Sequence, residues 1–142
     1  MDKGLIAKAI TTIEAPASKV WDALTKPELI KQYLFGTDVI SDWKVGSPIV
    51  YRCEWQGKPF EDKGKILEME RETSLVSTHW SPLSGVPDTP ENYHTVAYQL
   101  SERDGRTEVT ITQDNNANEE EKQHSEQNWR QVLEGLKKLL EK

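Results

Sequence analysis

The feature that most constrains this chain is an apolar stripe near its C-terminus. The apolar residues of this segment follow one another at steps of three or one, which places them on one face of an α-helix; they are Trp129, Val132, Leu133, Leu136, Leu139 and Leu140. Asn118 and Glu121 precede the stripe as in a capping box, and lysines follow at its end. A long helix with one apolar face needs a second apolar surface to pack against.

The segments before this helix have the pattern of antiparallel strands. PIVYRCEW (48–55) alternates, with Tyr51 and Cys53 on one face and Arg52 and Glu54 on the other. An Asp-Gly turn joins two further alternating runs. The predicted strands cover 4–14, 48–55, 63–70, 74–81, 93–102 and 107–113, and short helices are predicted at 17–25 and 27–34. The order predicts an α+β fold, a curved antiparallel sheet of about six to seven strands wrapped around the C-terminal helix.

Composition excludes several classes of function. The net charge of −6 disfavours binding to nucleic acid and to anionic membrane surfaces. Cys53 is the single cysteine, so no intramolecular disulfide can form. No apolar run approaches the roughly 20 residues of a membrane span, and the N-terminus lacks the pattern of a signal peptide. We therefore expect one domain over residues 1–142, in the cytoplasm.

Four short motifs, in this order, resemble one superfamily. They are AP-x-x-K-VW-x-ALT-x-PE from residue 15, VG before the aromatic strand, G-x-I-L-E from residue 64 and W-x-x-V-L-x-x-L-K-x-L-L-E from residue 129. Over essentially its whole length the chain is similar to the SRPBCC (START/Bet v 1-like) superfamily. Within it, the chain resembles a bacterial group related to the C-terminal domain of the activator of Hsp90 ATPase.

The resemblance implies a helix-grip fold with a hydrophobic cavity between the sheet and the long helix. Superfamily members include lipid carriers, hormone receptors and polyketide cyclases, so the fold alone does not decide the function. The chain departs from many relatives at Ser47 and Pro48, where a second glycine is common, and at Gln113, where a histidine is common. The loop at 81–92 is longer than expected and is either a lid over the cavity or an insertion.

Aromatic side chains are the main candidates for the cavity wall, because they offer flat apolar area with a single polar atom. The alternative for each is that it simply fills the core. The predicted lining residues are Trp21, Tyr33, Trp43, Tyr51, Cys53, Trp55, Trp80, Tyr98, Trp129 and Leu133.

Other candidate chemistry is weak. Cys53 has no neighbouring base in the sequence and is interpreted as a small buried thiol. His79 and His94 lack metal-site spacing, so we predict no metal and no cofactor. Glu68 is the one carboxylate considered as a cavity acid. No catalytic residue is assigned.

Three functions remain open at this point. The first is binding of a small hydrophobic molecule, lipid-like or planar and aromatic, in the cavity. The second is a co-chaperone-like interaction with an ATPase partner, which the resemblance implies. The third is a cyclase- or hydrolase-type enzyme that uses the same cavity.

Overall fold

The computed structural model describes residues 4–141, apart from the side chain of Trp55. The strands are β1 (Leu5–Ile13), β2 (Asp38–Ser41), β3 (Pro48–Trp55), β4 (Lys58–Glu70), β5 (Ser74–His79), β6 (His94–Arg103) and β7 (Arg106–Asn116). The α-helices are α1 (Ala17–Thr25), α2 (Pro27–Tyr33) and α3 (Glu119–Leu140), and 3₁₀ turns lie at Pro82–Ser84 and Pro90–Asn92.

Within the described residues, seven strands form one antiparallel sheet in the order β1-β7-β6-β5-β4-β3-β2. Strands β2 to β7 follow one another as a meander, and β1 closes the order beside β7, with Ile13 opposite Thr107. The prediction of an antiparallel sheet with a long C-terminal helix and two short helices after the first strand is therefore confirmed. The chain has a helix-grip α+β fold.

Helix α3 lies across the sheet and supplies the centre of the core. Asn118 caps it, since its side-chain oxygen accepts a 2.8 Å hydrogen bond from the backbone N–H of Glu121. Its buried apolar residues Val132, Leu133 and Leu136 join a single cluster with the inward-facing residues of the sheet and of α1 and α2. Toward the start of α3 this packing opens into a cavity, described below.

The largest differences from the prediction are in two strands. Strand β2 was not predicted, because it is short and lies at an edge of the sheet, where one neighbour is enough to hold it. Strand β4 begins at Lys58 instead of at 63. Gln56 and Gly57 have φ of 51° and 76°. This geometry makes a tight two-residue turn, so Trp55 pairs directly with Lys58. The added stretch of β4 carries Asp62, which becomes important for the site.

None of the helices among residues 4–141 is long and apolar enough to cross a membrane.

Candidate functional site

A cavity of about 350 Å³ lies between the inward face of strands β3 to β7 and the first half of α3. The segment that follows α2 and the segment after β5 complete its wall, so residues far apart in sequence meet there. A cavity of this size matches the lower end of the range for small-molecule sites.

The apolar part of the wall is built on an aromatic pair. The rings of Tyr98 on β6 and Trp129 on α3 meet edge to face, with their centroids 5.9 Å apart. Val96 and Val132 lie beside them on the same two elements. Edge-to-face rings hold each other in place. The pair therefore forms a rigid apolar surface where strand and helix face each other.

Gln113 fixes the orientation of Trp129. Its Oε1 accepts a 2.8 Å hydrogen bond from the indole Nε1–H, and its Nε2 donates to Ser125 Oγ at 3.3 Å. Ser125 in turn donates to Asn116 Oδ1 at 2.9 Å. This network occupies the donor of Trp129, so the indole offers a ligand its ring face and not its N–H. Through this network Gln113 supports the wall.

A polar row crosses the sheet at the other part of the cavity. Tyr51 is opposite Asp62 in the β3–β4 register, and His79 is opposite His94 in the β5–β6 register. Asp62 Oδ2 lies 3.0 Å from His79 Nε2. The backbone carbonyl of Asp114 lies 2.8 Å from His94 Nδ1. A carbonyl only accepts, so His94 carries a proton on Nδ1.

Burial keeps the titratable hydroxyl and thiol groups of the wall protonated. Desolvation raises the pKa of Tyr51 to about 12 and the pKa of Tyr98 well above its ordinary value. Desolvation is also the main cause that raises the pKa of the Cys53 thiol. The hydroxyl of Tyr98 has no hydrogen-bond partner among residues 4–141. It is therefore available to a ligand as a neutral donor, whereas Cys53 is not activated as a nucleophile.

The segment at 81–92 borders the cavity and is tied to the sheet. Asp88 forms an ion pair with Lys63 and accepts a 2.6 Å hydrogen bond from the hydroxyl of Tyr93. Trp80 Nε1 donates to the carbonyl of Val86 at 3.2 Å. Phe35, which is 78% exposed, also lies on the wall. These contacts hold the segment against the sheet beside the opening.

The structure brings together half of the predicted lining residues: Tyr51, Cys53, Trp80, Tyr98 and Trp129 all lie on the wall. The others lie elsewhere. Trp21, Tyr33 and Leu133 are buried in the core cluster, and Trp43 packs against it from the segment between β2 and β3. Tyr33 donates its hydroxyl to the carbonyl of Ala23 at 2.7 Å, which holds α2 against α1. The side chain of Trp55 lies outside the described residues.

The carboxylate at the cavity is Asp62 and not Glu68. Glu68 is exposed and accepts a hydrogen bond from Ser74. Asp62 was missed because the sequence pattern placed it before the predicted start of β4. The alternation of β3 could have identified it, because that pattern predicts that Tyr51 faces inward. With a tight turn directly after Trp55, Asp62 pairs with Tyr51 and faces the same side of the sheet. Among residues 4–141, no three His, Cys, Asp or Glu side chains are placed to hold a metal ion.

Comparison with known proteins places the chain in a family. The model of the family described as "Activator of Hsp90 ATPase homolog 1-like protein" matches residues 14–141. None of the curated proteins matches the chain.

Solved structures agree with this assignment. The solution structure of ChR145 from Cytophaga hutchinsonii is 55% identical, with a TM-score of 0.87 over 99% of this chain and 97% of that one. The Aha1 dimer from Colwellia psychrerythraea is 20% identical, with a TM-score of 0.76 over 96% of both chains. CalU16 from Micromonospora echinospora is 19% identical, with a TM-score of 0.72 over 96% of this chain and 83% of that one. The last two likenesses show the fold alone. The antiparallel sheet, the long C-terminal helix and the family match over residues 14–141 agree. The chain belongs to the family of activator of Hsp90 ATPase homolog 1-like proteins, within the SRPBCC superfamily.

Proposed function

We propose that this protein binds a small, largely apolar molecule in the cavity between the sheet and α3. The observation that carries the proposal is the cavity of about 350 Å³ walled by Tyr98, Trp129 and the two valines. Cavities of this kind, apolar with a few polar groups, are typical of small-molecule sites. The family is also known for ligand binding.

The wall indicates how such a ligand is held. The Tyr98–Trp129 pair supplies a flat apolar surface suited to a planar ring or an alkyl chain. The unpaired Tyr98 hydroxyl supplies one neutral donor to fix its orientation. Binding then consists of burial and orientation, and no chemical step is required of the protein.

A thermal-shift screen tests this proposal. The library contains fatty acids, flavonoids, sterol-like compounds and polyketide-like aromatics, and tryptophan fluorescence is read beside the melting temperature. A ligand of the folded state raises the melting temperature in proportion to RT ln(1 + [L]/Kd). We expect a concentration-dependent rise together with a change of fluorescence. The Trp129→Phe variant should lose a substantial part of that fluorescence change, with Trp80 on the wall supplying the rest, and the Trp21→Phe variant should keep it. A cooperative melt with no shift across the library would contradict the proposal.

A second candidate function is action on a chaperone-type ATPase partner. The observation that favours it is exposed apolar surface: Phe35 on the cavity wall is 78% exposed, and Leu83 and Val86 in the segment at 81–92 are 55% and 41% exposed. The description of the matched family, which names an Hsp90 ATPase activator, points to the class of partner. A change in the ATPase rate of such a chaperone on addition of the wild-type protein, lost in Phe35→Ser, would support this candidate. An unchanged rate would exclude it.

A further inference from the structure

The Asp62 carboxylate carries an acceptor that the protein leaves unused. Its Oδ2 is paired with His79 Nε2 at 3.0 Å. Its Oδ1 is buried and has no hydrogen-bond partner among residues 4–141. Buried polar atoms are nearly always paired, and an unpaired one lowers stability. The side chain is still 16% exposed, and the residue lies on the cavity wall. Since Oδ1 has almost no accessible surface as placed, a ligand in the cavity supplies the missing donor after a small turn of the side chain toward the open space.

The neighbouring histidine adds a second acceptor to this part of the wall. His94 donates from Nδ1 to the carbonyl of Asp114, so Nε2 is the nitrogen left to accept a hydrogen bond when it carries no proton. His79, opposite it in the sheet register, already directs Nε2 to Asp62. Asp62 and His94 therefore present acceptors to the cavity, while Val96, Val132 and Trp129 present apolar surface.

We propose that Asp62 is a binding subsite for a hydrogen-bond donor on the ligand, so the preferred ligand is an apolar body that ends in a hydroxyl or an ammonium group. The inference rests on the proposed function and adds the chemistry of the ligand's polar end. A carboxylate end is disfavoured, since it would bring a second negative charge beside Asp62 in a site of low dielectric.

Octylamine, octanol and octanoate test the proposal, because they share one alkyl chain and differ only in the head group. Their binding to the folded full chain is measured by thermal shift and by fluorescence titration. Asp62→Asn is the test variant. Glu61→Gln is the matched control. Glu61 is the adjacent residue and lies on the exposed side of β4. Like the test variant, this substitution removes one carboxylate that is paired with one basic side chain, here Arg52.

In the wild-type protein and in Glu61→Gln, octylamine and octanol should bind at least about tenfold more tightly than octanoate, which corresponds to about 1.4 kcal/mol. Asp62→Asn should lose about tenfold in affinity for octylamine. The loss for octanol should be smaller, because its hydroxyl carries no charge and the Asn side-chain oxygen still accepts its hydrogen bond. If Asp62→Asn does not fold, the order of the three affinities in the wild-type protein still tests the proposed subsite.

Equal binding of all three ligands, or tightest binding of octanoate, would overturn the subsite while leaving cavity binding intact. An Asp62→Asn variant that folds and keeps the wild-type preference would overturn it too. No binding of any of the three, by a protein that melts cooperatively, would contradict both this inference and the proposed function.

Discussion

The sharpest prediction concerns two valines that have almost the same exposure but different surroundings. Val96 on β6 is 4% exposed and Val109 on β7 is 0% exposed. Both belong to the core cluster, so burial alone predicts the same response to an enlarged side chain. Val96 also lies on the cavity wall, whereas Val109 does not. We therefore expect Val96→Phe and Val109→Phe to differ in stability and in ligand binding.

The magnitudes follow from the space available. At Val109 the added ring has no cavity to enter, and overpacking should lower the free energy of unfolding by about 1–3 kcal/mol or more. At Val96 the ring can occupy part of the 350 Å³ cavity. Each added methylene-sized group that it buries contributes up to about 0.8 kcal/mol, which offsets the local strain. The net change at Val96 should therefore lie within about 1 kcal/mol of zero.

Urea denaturation gives both free energies, and the thermal-shift assay gives ligand binding for each variant. Val96→Phe should melt near the wild-type temperature and lose most of the ligand-induced shift, because the ring takes the ligand's place. Val109→Phe should melt lower and keep the ligand-induced shift. Equal destabilisation of both variants would contradict this prediction, because it would mean that the ring added at Val96 cannot enter the cavity.

Three further predictions concern the wall and its border. Trp129→Phe should lower the free energy of unfolding by about 1–3 kcal/mol in urea denaturation, since it leaves the part-buried Oε1 of Gln113 without its donor; an unchanged stability would contradict the role of this network. Cys53 should react slowly with thiol reagents at neutral pH, because burial raises its pKa above the ordinary value of 9.0, and a cavity ligand should slow the reaction further; fast labelling, or labelling unaffected by ligand, would argue against its place on the wall. The hydrogen bond from Lys63 is the main cause that lowers the pKa of Asp88 below its ordinary value of 3.8. The contribution of this pair is therefore present above that value and is lost as pH falls through the lower, folded-state value. NMR signals of segment 81–92 should show this transition in the wild-type protein and not in Asp88→Asn, and a transition of the same size in Asp88→Asn would refute the assignment.

Much of the fold could be predicted from the sequence, because local pattern and tertiary packing agree in most segments. The bounds of α1 and β3 match the predicted ranges 17–25 and 48–55. In α3 the cap at Asn118 and the apolar stripe both point to the same helix. Strand β2 could not be predicted in this way, because its four residues are held by pairing with β3 and not by a pattern of their own.

The site was less predictable, because the wall of a cavity and the packed core have the same composition. Trp21 and Trp129 both lie at helical positions facing inward, yet only Trp129 faces the open space. The difference depends on where α3 diverges from the sheet, which is a property of the whole fold. The polar row with Asp62 depends on strand register across four strands, and no single segment contains that information.

The proposed function is the binding of a small apolar molecule in the cavity beside α3. The most direct test is a ¹H–¹⁵N NMR titration of the wild-type protein with the best ligand from the thermal-shift screen, read at the tryptophan indole N–H signals. We expect saturable shifts of Trp129 and Trp80, which lie on the wall, with little change at Trp21, which lies in the core. Shifts confined to residues outside the cavity, with the Trp129 signal unchanged at saturation, would contradict the claim.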